Sequence, residues 1–305
     1  MKSIVLLFGA GASYGAGDII PEQPPLGFQL YKRLAEIYPS SWGVFPSTLK
    51  ENFEENFEAG MEIIYKDHSQ NIAELMQQMA VYFIQFRPYS ESSLYCKLIQ
   101  DLQNIGLLNA VLFSTLNYEC VLEFSLLNQG FSIAYFDKGE ESNQVPVWKL
   151  HGSCNMFSKN FALSQGVKFT RGISFGGGLQ ALFDVGTVVE KCLVDTGLPP
   201  AMCLYMKGKR LQVSPAIIER LQVDWQNAVM NCQAVICVGV NPLPEDSHIW
   251  RPLAETEAHF YFIGSEEAFL EWRQDYRSNP SEFLGSHFDQ GYPILLRRLK
   301  QYESH

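Results

Sequence analysis

Two polar side chains of this sequence sit where sugar or proton chemistry could be done. Asn117 lies in Ser114-Thr115-Leu116-Asn117-Tyr118-Glu119, directly after the apolar run 110–113. His151 lies in Lys149-Leu150-His151-Gly152-Ser153, at the end of the apolar run 145–150. An Asn amide can hold a sugar hydroxyl or a water, and an imidazole is the side chain best suited to proton transfer near neutral pH. A glycine after the histidine would leave the ring open to a cleft. Both residues also have ordinary uses, Asn as a helix N-cap and His as a buried structural ring.

A third segment gives these two something to act on. Ile4–Phe8 is an apolar run followed at once by Gly9-Ala10-Gly11-Ala12-Ser13. A buried strand that ends in small residues lets backbone amides approach a diphosphate. The dehydrogenase fingerprint needs a third glycine where Tyr14 stands, so the turn does not specify a hydride-transfer cofactor. A tight strand-to-helix turn without ligand, with Ser13 as a cap, would use the same residues. A fourth segment, Ile236-Cys237-Val238-Gly239-Val240-Asn241-Pro242-Leu243-Pro244-Glu245-Asp246, again runs from an apolar stretch through glycine into a loop. It is either a second phosphate or ribose cradle or a plain connection.

The elements that must position these segments follow from periodicity. Short apolar runs at Ile4–Phe8, Ala110–Phe113, Val145–Leu150, Ala234–Val238 and Phe260–Ile263 suit a parallel sheet covered on both faces. Helical periodicity falls between them at Phe28–Ile37, Ile72–Phe86, Leu94–Ile105, Tyr118–Leu127 and Pro215–Met230. The alternation predicts an α/β fold with a doubly wound parallel sheet, in which residues just past the strand C-termini line the ligand crevice. One domain over 1–305 is expected, with a helical insertion over 38–108 that holds no clear strand. Residues 154–212 are expected to form an irregular, glycine-bearing insertion (Gly166, Gly172, Gly176-Gly177-Gly178, Gly186, Gly197). No internal repeat or low-complexity tract is present.

Composition narrows the function classes. Of 305 residues 47% are apolar, enough for a sizeable core, and the net charge of −10 argues against a nucleic-acid-binding surface. The densest basic cluster, Lys207, Lys209 and Arg210, reads as a solvated loop. The seven cysteines include no Cys-x-x-Cys pair, which argues against a zinc ribbon or a disulfide framework. Cys232 and Cys237 lie in apolar runs and read as core. With no stretch of membrane-spanning length and no secretion signal, a soluble cytoplasmic protein without a metal is expected.

Taken in order, the four segments resemble the NAD-binding core of the Sir2 (sirtuin) family. They are more similar to the SIR2-like proteins of bacterial antiphage defence, which carry Gly-Ala-Gly-x-Ser, Asn-Tyr-Asp, Leu-His-Gly-Ser and Gly-x-Ser-Leu-Pro-x-x-Asp segments. Glu119 stands where that pattern has Asp, and Asn241 where it has Ser. The four-cysteine zinc module of sirtuin deacylases has no counterpart here. The resemblance implies a Rossmann-like sheet of the sirtuin/DHS-like NAD-binding type. It implies NAD as a substrate cleaved to nicotinamide and ADP-ribose, with no metal.

It also assigns roles. Asn117 would hold the ribose or the attacking water, and His151 would act as base. Gly9, Ala10, Gly11, Ala12 and Ser13 would bind the diphosphate, and Thr115 and Tyr118 would line the ligand. Gly239, Val240 and Asn241 would line the adenosine side, and Gly264 and Ser265 would approach the adenine ribose. A homo-oligomer, a separate sensor protein (a nucleic-acid sensor or an ATPase), or both would switch the enzyme on, with 38–108 and 154–212 serving as interface and gate or simply as cover for the sheet. A non-catalytic module sensing NAD or ADP-ribose, and a protein deacylase or ADP-ribosyltransferase, are the other readings.

Overall fold

The computed structural model describes residues 3–136, 143–159, 174–194, 197–204, 212–243 and 246–302. Its centre is a sheet of seven strands, β1 (Ile4–Phe8), β2 (Val111–Thr115), β3 (Ser132–Ala134), β4 (Gln144–Lys149), β5 (Ala234–Val238), β6 (His259–Ile263) and β7 (Ser281–Gly285). The spatial order is β7-β6-β5-β1-β2-β4-β3 and every neighbouring pair is parallel. Helices cover both faces, as the doubly wound reading requires.

The absence of alternation in the apolar runs now has a physical cause. In β1 and β5 every residue is fully buried, because both faces of these strands are covered. Successive side chains still part company. Ile4, Leu6 and Phe8 join a core with Ile236 and Val238, while Val5, Leu7, Val235 and Cys237 join a second core with Trp225, Trp250 and Phe269.

The register sets the height of everything that follows the strands. Phe8 lies opposite both Thr115 and Val238, Thr115 lies opposite Lys149, and Val238 lies opposite Ile263. These strands therefore end flush, so the turns that leave them emerge at one level. The chain builds β2, β3 and β4 on one side of β1 and then β5, β6 and β7 on the other. The crevice of such a sheet lies outside the strand ends where the winding reverses, here between β1 and β5.

β1 and β5 match the apolar runs, the other expected strands differ by a residue or two, and further differences are informative. The expected helix Tyr118–Leu127 begins only at Val121, and Leu116–Cys120 stays as a connecting loop. The 38–108 region contains helices Ser47–Glu55, Phe57–Asp67, Ile72–Phe83 and Leu94–Asn104, but also a two-residue strand, Arg87–Pro88, antiparallel to Ile19–Ile20. Edge strands β3 and β7 were not expected. The first is three residues long, and the second (Ser-Glu-Phe-Leu-Gly) is too polar to read as a core strand. The loop after β5 opens helix Ser247–Glu255, whereas helices Glu266–Tyr276 and Phe288–Leu299 were not expected; the first and third carry an internal proline, Pro252 and Pro293.

Of the 154–212 segment, Met156–Ser158 pairs antiparallel with Leu179–Ala181, and helix Val185–Val194 packs on helix Ile72–Phe83. Gly166, Gly172, Lys207, Lys209, Arg210, Pro244 and Glu245 lie outside the described residues. Among the described residues no helix is long and apolar enough to cross a membrane.

Gly239 carries the tightest constraint at the winding reversal. Its φ is +64°, and a Cβ there would fall on the Ala12 amide nitrogen and the Gly11 backbone. Gly239→Ala should therefore cost at least about 2 kcal/mol, because strain and a backbone clash add. Gly176→Ala, at a position with open space around it, should leave the urea midpoint nearly unchanged. Equal midpoints for the two variants would contradict this account.

Candidate active site

The turns above the sheet are stitched to one another. Gly9 N–H donates to Val238 O at 2.9 Å, Leu116 N–H to Phe8 O at 2.9 Å and Leu150 N–H to Thr115 O at 3.1 Å. On the other side, Gly239 N–H donates to Ile263 O at 2.8 Å and Gly264 N–H to Gly285 O at 3.0 Å. The ladder thus continues one residue past each strand.

This stitching uses some of the amides expected to hold a diphosphate. Gly11 N–H donates to Gly239 O and Ala12 N–H to Gly9 O, both at 3.0 Å. Ala10, the exposed first residue of a five-residue helix α1 (Ala10–Tyr14), presents its backbone at the top of the turn. Ser13 is inside α1 and fully buried, so it neither caps the helix nor faces outward.

Asn117 is the hub beside that turn. Its Nδ2 donates to Gly9 O at 3.0 Å, to Ser13 Oγ at 3.0 Å and to Glu119 Oε1 at 2.9 Å. Gly9 O is a carbonyl that can only accept, which fixes the amide with nitrogen on that side. The carbonyl Oδ1 is left as the group's acceptor. Thr115 braces the hub from below. Its Oγ1 donates to Phe8 O at 3.1 Å and accepts the Asn117 N–H at 3.0 Å. Asn117 is thus not a helix cap.

Glu119 completes the hub. Its carboxylate accepts from Ser13 Oγ at 2.6 Å and from Val121 N–H at 2.5 Å, the latter being what delays the helix to Val121. Burial raises the Glu119 pKa, against the opposing pull of Lys149. Tyr95 OH lies 3.0 Å from Ser13 Oγ, and burial drives its pKa well up.

Under the hub lies a fully buried ion pair. Lys149 Nζ is 3.0 Å from Glu123 Oε1, with both side chains at 0% exposure, and it donates to Glu119 O at 2.6 Å. Burial is the largest single influence and works against the ammonium, but the Glu123 carboxylate together with its other neighbours, Glu119 among them, leaves the Lys149 pKa above its usual value. Tyr135 OH donates to the same Glu123 oxygen at 2.9 Å.

His151 follows this lysine by two residues. The ring is 4% exposed, so the adjacent glycine does not open it to solvent. Gly152 serves packing instead, since its φ is +75° and a Cβ would fall on the Ala201 carbonyl. His151 O accepts from Cys203 N–H at 2.8 Å. The imidazole Nε2 lies 3.0 Å from His248 Nε2. Helix Pro215–Asn231 fixes both partners, since Gln222 Nε2 donates to Leu150 O at 2.7 Å and Gln226 Nε2 to His248 O at 3.0 Å. Buried Asp246 joins them, bringing three ligand-type atoms within 4.8 Å of one another, although the sequence reading expects no metal.

The other expected contact residues also carry local structure. Tyr118 OH donates to Cys203 O at 2.9 Å and its ring packs near Phe83. Val240 is buried in the second core, whereas Asn241 is exposed. Ser265 Oγ accepts from Ala268 N–H at 3.3 Å and caps helix Glu266–Tyr276, and Gly264 sits against the Phe262 ring.

Sequence reasoning assigned no role to Glu119, Glu123, Lys149 or His248. The signal for His248 was its spacing of two from Asp246 at a helix start. For the buried carboxylates and lysine there was none, since burial of a charged residue depends on distant partners.

Neither a family model nor a curated protein matches the chain. Solved structures do. A crystal structure of Sir2 with the inhibitor EX-527, 2′-O-acetyl-ADP-ribose and a deacetylated p53 peptide is 13% identical, with a TM-score of 0.44, covering 98% of this chain and 92% of that one. A sirtuin structure on the basis of substrate affinity is 15% identical, with a TM-score of 0.47, covering 99% of this chain and 94% of that one.

Lys149→Met should cost about 3–5 kcal/mol, because it leaves Glu123 buried without its counter-charge. Lys149→Met with Glu123→Met should recover much of that loss. Urea unfolding of the single and double variants checks both statements, and a mild single variant would contradict the buried pairing.

Proposed function

We propose that this chain cleaves NAD at the bond between nicotinamide and ribose, releasing nicotinamide and ADP-ribose. The observation that carries the reading is that Asn117 and His151 each follow by two residues the flush ends of β2 and β4, beside the glycine turn of β1 at the winding reversal. The ordered segments that resemble the SIR2-like group support it.

The chemistry fits these residue types. Water oxygen bonds to the ribose anomeric carbon while the carbon–nitrogen bond breaks through an oxocarbenium-like transition state. The bonding electrons neutralise the pyridinium nitrogen, so the leaving group needs no acid. One proton must leave the water or a ribose hydroxyl, and His151 would be the base that takes it. Asn117 Oδ1 would hold the same water or hydroxyl, its orientation fixed by the three bonds of Nδ2. The exposed Ala10 end of α1 would meet the diphosphate, with Gly239 to Asn241 on the adenosine side and Gly264 and Ser265 toward the adenine ribose. Because free NAD hydrolysis would harm a host cell, we place the enzyme in antiphage defence, held silent until an oligomer or a sensor partner forms.

A binding module without turnover is the second reading. It is favoured by the engagement of the His151 ring with His248 and of the Asn117 amide within the fold.

The test is incubation of the purified full chain with NAD, following nicotinamide and ADP-ribose by chromatography. His151→Ala and Asn117→Ala should each lower the rate by about 100-fold or more. Asn117→Ala should also cost about 1–3 kcal/mol of stability, since it removes the buried amide that bonds Gly9 O, Ser13 and Glu119. Rates are therefore compared well below both melting temperatures. Tight NAD binding with no product under any assembly state would favour the binding module, and wild-type rates in either variant would refute the assigned roles.

A further inference from the structure

We propose that His151, Asp246 and His248 form a binding site for a divalent first-row transition-metal ion such as zinc. The three residues come from two separate pieces of the fold. His151 leaves β4, Asp246 ends the loop after β5, and His248 lies in the first turn of helix Ser247–Glu255. Their convergence is thus tertiary and not a by-product of sequence proximity alone.

The geometry points to an ion. The Nε2 atoms of the two rings are 3.0 Å apart while the ring centroids are 5.2 Å apart, so the rings meet nitrogen first and do not stack. A carboxylate oxygen of Asp246 lies with both nitrogens inside a 4.8 Å span. An ion about 2.0–2.1 Å from each nitrogen needs them only about 0.4 Å further apart to reach a tetrahedral angle. The carboxylate then closes in as third ligand, and substrate or water completes the shell. Two imidazoles and one carboxylate select zinc, cobalt or nickel over magnesium and calcium, which take all-oxygen shells. The site is also mechanically held: Gln226 grips the His248 carbonyl, and Cys203 N–H grips that of His151.

Occupancy has a consequence for the hydrolysis proposed above, and this part rests on that reading. A ligated His151 nitrogen cannot accept a proton, so metal opposes turnover.

The experiment uses tag-free full chain, stripped with chelator and desalted. Titration with cobalt should show about one equivalent bound, with ligand-field bands and no thiolate charge-transfer band, since the donors are imidazole and carboxylate. His248→Ala and the volume-conserving Asp246→Asn should each weaken binding by about tenfold or more. Zinc should slow NAD cleavage with the midpoint of its binding, and magnesium should do neither. Failure to bind, thiolate bands, or unchanged affinity in both variants would overturn the site and leave the two rings as a simple N–H···N pair. Binding without slowed cleavage would overturn the coupling alone. A stripped protein that binds cobalt but cleaves NAD in no assembly state would refute the hydrolase and leave the metal site standing.

Discussion

The candidate site depends on one backbone-to-backbone approach. The turn after β1 and the turn after β5 touch through Gly9, Gly11 and Gly239, with Gly11 N–H on Gly239 O at 3.0 Å and no side chain between them. This is where the two halves of the sheet, built on opposite sides of β1, meet at their C-terminal ends. Any Cβ at Gly239 would push α1 away and with it Ser13, which is one of the three acceptors of the Asn117 amide. The glycines are therefore needed first for packing. The small cross-section that lets two backbones meet is the same property that would let a phosphate approach Ala10.

The polar hub stands on that contact and is costly in its own right. Glu119, Glu123, Lys149 and Ser13 are all buried, and Lys149 and Glu123 show no exposure at all. An ion pair in such a place seldom adds net stability over an apolar pair of similar volume, because desolvation offsets the Coulombic gain. What it adds here is position. Lys149 ties the Glu119 backbone at 2.6 Å, Glu119 ties Ser13 and Asn117, and Asn117 ties Gly9. A chain of charge-assisted bonds thus runs from the core to the turn, and it holds the Asn117 amide in one of its two flips. An apolar core would leave that choice open.

The sheet was legible in the sequence where burial on both faces made the runs purely apolar, as in β1 and β5, whose limits match residue for residue. Legibility failed at the edges. There β3 and β7 have one neighbour each and admit polar residues. The four loop segments were legible because small and polar residues directly after apolar runs are chemically conspicuous. The reasons for some of them were not. Gly152 reads as opening the imidazole, yet it makes room for the Ala201 carbonyl; Tyr118, expected to line a ligand, also donates its hydroxyl to Cys203 O. In both cases the decisive partner lies some 50 to 85 positions away, which no local spacing can reveal. The same holds for Glu123 and Lys149, whose burial follows from the pairing of β4 with β2.

His151 shows how one side chain can be asked for incompatible things. Its place past a strand end suits a base, but a base needs a lone pair directed at substrate. At 4% exposure, with Nε2 3.0 Å from His248 Nε2, one of its two ring nitrogens is engaged with protein. If the proposed hydrolysis uses Nε2 as its base, the two rings must part, and whatever holds them together would set the resting state. A shared proton would hold them weakly, whereas an ion bridging both rings and Asp246 would hold them more firmly. The strength of that clasp, and not the basicity of the imidazole alone, would decide how readily the site becomes active. It would do so without any movement of the sheet, since His248 rides on helix Ser247–Glu255, outside the ladder that fixes Asn117 and the glycine turn.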